Sequence, residues 1–463
     1  MKKRFLTGAA LVALGGLAVA GLASCGESGP YEFPTPAAWS EPKIEDYNAT
    51  CTDGGKVVNI RVWNTEFIGL FKAYYPGVEE VKPNVQYKVG DITVNFIETA
   101  NKDNAYQIAL DNAFDKQATA AADDKIDVFL MEADYALKYV NTNKTLDVKD
   151  LGLTDEDTKN MYQYTKDVAT SNGRLKGVSW QATPGLFAYR TDIAKAVLGT
   201  DDPVEVQKSL ANWEKFDETA KKMKEKGYTM LSGYDDSYRV FSNNVSAPLV
   251  DAKTGKLNLD PQIENWIKQT KEYTDKGYNN KTSLWDAAWQ KEQSKEGHTF
   301  GFFYSTWGIN FTLKDNAGED LFGKYRVCEG PASYFWGGTW IAAANGTDNK
   351  TFVADLMRKM TCDANIAEQI TRDTSDYTNN KEAMNKLAND KDYGSDFLGG
   401  QNHVALFASA APKIKMDKTT IWDQGFNENI QGAFKDYFAG KATYDEAKEA
   451  FYKKFVKLYP EFQ

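Results

Sequence analysis

Short runs of alternating or wholly apolar residues, each followed by a stretch with helical spacing, recur from Lys56 onward, and this alternation narrows the fold more than any other feature. Val58, Ile60 and Val62 face one way and Asn59 and Arg61 the other, which reads as a strand over 56–63. The spacing predicts a helix over 67–75, stopped by Pro76-Gly77. Ile92, Val94 and Phe96 alternate as a second strand, 104–122 has helical spacing, and 126–131 is a short apolar third strand. Farther on, helices are expected over 213–226, with Asn212 as N-cap and Gly227 as stop, and over 261–276, ended by Gly277. A strand is expected over 300–304 and an amphipathic helix over 351–360. A last helix carries Ala447, Phe451, Phe455 and Tyr459 on one face. Strands alternating with helices predict an α/β fold with a mainly parallel sheet flanked by helices.

The first residues do not belong to that pattern. Met1-Lys2-Lys3-Arg4 precedes a short, glycine-containing apolar run to Ala20, the layout of a secretory signal peptide over 1–24. The run falls short of the roughly 20 apolar residues a spanning helix needs. Leu22-Ala23-Ser24-Cys25 resembles the lipobox of bacterial lipoproteins, which implies a diacylglyceryl group on Cys25. Residues 25–54 hold many Gly, Ser and Pro with no periodic apolar face, so they are expected to form a lipid-anchored flexible tether. Dual acylation holds a protein durably on a bilayer, so the expected place is the cell membrane, on its extracytoplasmic side.

A net charge of −10 disfavours a nucleic-acid partner, which needs a basic face. No later stretch reaches the length of a membrane span. Beyond Cys25 there are Cys51, Cys328 and Cys362, with His298 and His403, and no CxxC. That leaves no cysteine–histidine zinc site in view, and no metal or cofactor is expected. Cys328 and Cys362 either pair or stay buried thiols. No GxSxG or Walker loop supports hydrolase or nucleotide chemistry. The aromatic share, 13%, does point somewhere. Trp and Tyr offer flat apolar faces with a polar handle, which suits sugars, whose ring faces are C–H and whose rims are hydroxyls.

Four clusters of polar and aromatic residues sit just after strands: Trp63-Asn64-Thr65-Glu66, Glu132-Ala133-Asp134-Tyr135, Tyr304-Ser305-Thr306-Trp307 and Trp336-Gly337-Gly338-Thr339-Trp340. Ligands of open α/β sheets bind outside the carboxyl ends of strands. The order of these features resembles the extracellular solute-binding proteins of bacterial ABC importers, in particular the carbohydrate-binding group that includes maltose-binding protein. Residues 56–63 match that family's opening strand and 125–130 the strand after its second helix. Residues 173–180 resemble its G-x-x-Y-G-x-P segment, with Lys176 and Ser179 or Trp180 where Tyr and Pro are usual. Residues 211–216 resemble its T-W-D-E-F helix opening, 301–307 its ligand-facing strand, and 337–342 its crossover.

The resemblance implies a two-lobed type II periplasmic-binding-protein-like fold, each lobe a mixed, mainly parallel sheet with flanking helices. Lobe one would hold 55–182 and 340–380, and lobe two 186–335 and 385–463, hinged by crossover segments. It would place Cys328 and Cys362 in different lobes near the crossover, which disfavours pairing them. It implies a monomer that captures a carbohydrate, an oligosaccharide, between closing lobes without chemical change and hands it to permease subunits. Candidate stacking platforms are Trp180, Trp285, Trp289, Trp307, Trp336, Trp340 and Trp422. Candidate polar contacts are Asn64, Glu66, Asp134, Gln181, Tyr234, Asp235 and Asp376, with Gly338 letting backbone approach. Trp213 and Trp266 are assigned to helix packing. A surface glycan-binding lipoprotein and a secreted glycoside hydrolase are the alternatives.

Overall fold

Val57 to Val62 is buried along nearly its whole length, the mark of a strand covered on both faces. In the computed structural model, which describes residues 30–463, it lies near the middle of a sheet. In chain order the strands that build the site are β1 (Val57–Val62), β2 (Val78–Lys82), β3 (Gln86–Val89), β4 (Ile92–Glu98), β5 (Val128–Glu132), β6 (Val178–Ser179), β7 (Gly185–Arg190), β8 (Leu231–Gly233), β9 (Asn279–Thr282), β10 (Gly301–Ser305), β11 (Tyr325–Cys328) and β12 (Thr339–Ala343). The helices used below are α1 (Glu66–Tyr74), α2 (Ala105–Gln117), α3 (Trp213–Glu225), α4 (Pro261–Lys276), α5 (Lys350–Met357), α6 (Asp423–Phe438) and α7 (Tyr444–Leu458).

The first sheet runs β2-β3-β4-β1-β5-β12-β6. β1 is parallel to β4 and β5, whereas β12 is antiparallel to both β5 and β6. The second sheet is β10-β7-β11, antiparallel throughout, and β8 and β9 form a separate parallel pair. The chain passes from the first sheet to the second after β6 and returns before β12. Isolated bridges between Gln181 and Thr378 and between Pro184 and Phe335 hold these crossings together.

Local chemistry fixes the element ends. Asn212 accepts the Lys215 N–H at the start of α3. Asp260 accepts the Gln262 N–H before Pro261, and Gly277 at φ 68° ends α4. Thr443 and Glu446 form a reciprocal capping box on α7, whose Ala447, Phe451 and Phe455 are buried. α2 stops at Gln117, short of the expected 122, because its side chain turns to the Ile126 backbone and closes the loop into β5. α5 ends at Met357 and continues as a π-type turn to Cys362, through the stretch expected to be regular helix. Cys51, Cys328 and Cys362 are all free thiols, so the Cys328–Cys362 bond is not formed.

The tether expected over 25–54 needs correction from Phe33 onward; Cys25 and the signal peptide lie outside the described residues. Phe33 stacks on Tyr452 at 6.3 Å and meets the edge of Phe451 at 5.6 Å. Trp39 packs on Phe462 and Trp422 at 4.7 and 5.5 Å and donates its indole N–H to the Ala252 carbonyl at 2.9 Å. Gly255, at φ 67°, makes room: a Cβ there would meet the Trp39 ring at 2.4 Å. Tyr47 bonds Asp150 and accepts the Asp147 N–H at 2.7 Å, under the Lys176 ammonium at 4.6 Å. Composition predicted a free chain because it weighs average burial, whereas three aromatic anchors in fitted sockets suffice to lay an irregular segment down.

Candidate functional site

The carboxyl end of β1 runs into α1 through Trp63, Asn64 and Thr65. Asn64 Oδ1 accepts the Glu66 N–H at 3.1 Å, which fixes Glu66 as the first helical residue. At the end of β5, Glu132 accepts the Asp134 N–H at 2.8 Å. These two strand ends, with Gln181 from the first crossing, Trp336 to Thr339 from the second, Trp307 after β10, and Asp376, surround a cleft of about 780 Å³. That volume lies within the roughly 300–1,000 Å³ of small-molecule sites.

One wall is aromatic. Trp307 donates its indole N–H to the Trp336 carbonyl at 2.9 Å, and the two rings meet edge to face at 5.3 Å. Trp336 lies parallel to buried Tyr304 at 6.2 Å. Gly337 and Gly338, at φ 73° and 101°, bring the backbone against Trp307 and Thr183, where a Cβ would approach to 3.1 Å in each case. Trp63 stands edge-on to Tyr106 at 5.3 Å.

The floor is acidic. The Gln181 amide donates to Glu66 and, at 3.4 Å, to Asp376. Asp376 also accepts the Thr306 hydroxyl and the Tyr377 N–H, the latter at 2.8 Å. Burial, with the nearby Asp376 carboxylate, pushes Glu66 up to about 8 against the Gln181 bond. Burial pushes Asp376 and Glu132 up as well.

The cleft thus gathers Asn64, Glu66, Gln181, Trp307, Trp336, Gly338 and Asp376 of the residues singled out in the sequence. Trp285 is half exposed beside it, facing Trp307 at 6.2 Å and 24°. The others lie elsewhere. Trp180 is buried on Phe67, and Trp340 is fully buried with its N–H on the Thr165 carbonyl, so neither presents a free ring face. Trp289 is buried and donates to Asp236 at 2.8 Å, beneath Trp285. Trp422 packs with Trp39 and Phe462 and donates to Glu461. Tyr234 stacks on Phe438, and Asp235 is buried near Lys435 at 3.6 Å. Asp134 is taken up by a two-pronged pair with Arg239, at 2.8 and 2.5 Å.

Trp63, Glu132, Leu70, Tyr74 and Phe311 also line the cleft without having been singled out. Trp63 and Glu132 stood inside the strand-end clusters. Leu70 and Tyr74 follow Glu66 at helical spacing on one face of α1, a legible signal. Phe311 sits in an irregular turn after Trp307, where no periodicity marks it.

A family model described as bacterial extracellular solute-binding protein matches residues 88–396. Among solved structures, the galacto-N-biose/lacto-N-biose I-binding protein of the Bifidobacterium longum ABC transporter, in complex with lacto-N-biose, is similar at TM-score 0.65 and 13% identity, over 89% of this chain and 99% of that one. The GacH receptor of Streptomyces glaucescens, solved unliganded and with acarbose, matches at 0.62 and 15%, over 89% and 100%. A binding protein of a B. animalis subsp. lactis ABC transporter, in complex with β-1,6-galactobiose, matches at 0.61 and 17%, over 88% and 98%. At these identities the shared property is the fold, a two-lobed α/β binding protein. Among curated protein sequences none matches the chain. Because that family model spans more than half of the chain, including the second sheet and both crossings, the chain belongs to the bacterial extracellular solute-binding protein family.

Proposed function

We propose that this protein captures a carbohydrate, an oligosaccharide, in the cleft and delivers it to the permease of an ABC importer from a lipid anchor on Cys25. The observation that carries the reading is the pairing of Trp63, Trp307 and Trp336 with Glu66, Gln181 and Asp376 around one cavity. Indole faces suit the C–H faces of sugar rings, and carboxylates accept from hydroxyls. The three neighbours named above are complexes with di- or oligosaccharide-type ligands, which supports the same class here. Lobes of 55–182 with 340–380 and 186–335 with 385–463 would close on the ligand by a rigid-body hinge at the crossings. Among the described residues no helix is long and apolar enough to cross a membrane. A diacylglyceryl group on Cys25 would supply the attachment.

Tryptophan fluorescence and calorimetry against a glycan panel test the proposal. Saturable binding of an oligosaccharide that is recovered unchanged is the expected result. Cleaved product would favour a hydrolase. Tight binding of an amino acid or inorganic ion with no glycan bound would overturn the carbohydrate reading.

A further inference from the structure

The cleft has an unbalanced charge inventory. Glu66, Glu132 and Asp376 line it, and among its described lining residues there is no Lys, Arg or His. Glu66 and Asp376 share one neutral donor, the Gln181 amide, and the further donors to Asp376, the Thr306 hydroxyl and the Tyr377 N–H, are neutral as well. Ionising both carboxylates there places like charges side by side away from water, which is unfavourable without a cation between them. The positive charge nearest Glu132, Arg239, is already committed to Asp134. Aromatic walls add to the same preference, because the negative faces of indole rings attract cations.

We infer that the ligand carries a protonated amine, as an amino sugar does, and that its ammonium group sits against Glu66 and Asp376, beside the Gln181 amide that already links them. This deepens the carbohydrate reading and rests on it. An ammonium has three donors and no acceptor, so it can serve both carboxylates at once while the ring stacks on Trp307 or Trp336. Anionic sugars such as uronates, sulfated or phosphorylated residues find no Lys, Arg or His to pair with among the described lining residues. N-acetylation removes the charge and with it the preference. Burial and the nearby Asp376 carboxylate favour the protonated form of Glu66. Binding a cation therefore expels that proton, and affinity rises from pH 5 to 7 as the expulsion becomes easier. The groups facing Glu66 are Asp376 and Gln181, and those facing Glu132 are Asp134, Arg239 and Glu428.

The test uses the full chain with four probes: the β-1,4-linked glucosamine trimer, its tri-N-acetylated form, maltotriose and spermidine, with the glycan panel as background. The expected result is about tenfold or tighter binding of the glucosamine trimer over the acetylated one, proton release seen as a buffer-dependent binding enthalpy, and a narrowed gap in Glu66→Gln. Circular dichroism and unfolding of that variant exclude misfolding as the cause. Tighter binding of a neutral glycan than of any amine-bearing probe overturns the inference and leaves sugar capture standing. Spermidine binding with no sugar bound overturns sugar capture and keeps the charge preference. No binding of either amine probe overturns the inference.

Discussion

Two cavities meet at the carboxyl end of β5, one lined by Glu132 and the other by Asp134, and they treat carboxylates differently. In the cleft, Glu66, Glu132 and Asp376 meet amides, hydroxyls and indoles but no lining cation. In the neighbouring cavity of about 420 Å³, Asp134 is clamped by Arg239, and Asp423 accepts the Thr420 N–H and hydroxyl at 3.1 and 2.6 Å. Lys413, Lys415 and Lys418 line that second cavity. Both regions place acids after strands or at helix starts. What separates them is who supplies the positive charge: the protein itself in one, and by our inference the ligand in the other. Where the protein supplies it, the acid is structural.

The largest effect should come from breaking the self-supplied charge. Arg239→Ala leaves Asp134 beside Glu132 and Asp423 without a partner, and should lower stability by about 3 kcal/mol. Urea unfolding measures it, and Asp134→Ala in the same chain should recover most of the loss. An unchanged midpoint for the single variant would mean that the pair is as weak as a surface contact.

On the other side of the comparison, Trp307→Ala should weaken ligand binding by about 2 kcal/mol, roughly thirtyfold. Its indole N–H fixes the Trp336 backbone, so calorimetry should also show weaker enthalpy. Trp340→Ala, by contrast, opens a hole in a fully buried site and should act mainly on unfolding. Equal effects of the two on affinity would erase the distinction between lining and core tryptophans.

Next comes the pH dependence of the cleft acids. Glu66 titrates near 4.5 in the unfolded chain and at about 8 in the fold. The folded form thus holds the proton more tightly, and stability falls as pH rises from about 4.5 to 8, then levels off. Glu66→Gln should flatten that fall by on the order of 2 kcal/mol, read from midpoints at pH 5 and pH 8.5. A slope identical to the parent's points to another group.

The smallest effect should be that of Lys415→Ala. It is exposed at the edge of the second cavity, so stability should move by no more than about 0.5 kcal/mol and affinity not at all. A large loss of affinity would show that the ligand reaches across the turn into that cavity.

Much of the site was legible because strand ends are marked twice, by the end of alternation and by the polar cluster that follows. Trp63 to Glu66 follows β1 and could be read in this way; Trp336 to Thr339 also lines the cleft, but it leads into β12 instead of following a strand as expected. Trp180 and Trp340 could not be told from lining tryptophans. A residue one step along a strand points to the other face, and sequence does not say which face meets solvent. Residues 33–53 misled for a different reason: anchors spaced irregularly leave no period to detect.

The alternation of strands and helices, the cap at Asn212, the stop at Gly277, and the acids and aromatics near the strand ends could all be read from the residues alone, because these depend on neighbours within a few positions. Which acids are neutralised is set by contacts distant in the chain. Asp134 finds Arg239 and Glu66 finds Gln181 across separations of more than a hundred residues. Whether a carboxylate is a structural tie or a ligand contact depends on what lies opposite it in space, and that is a property of the folded chain.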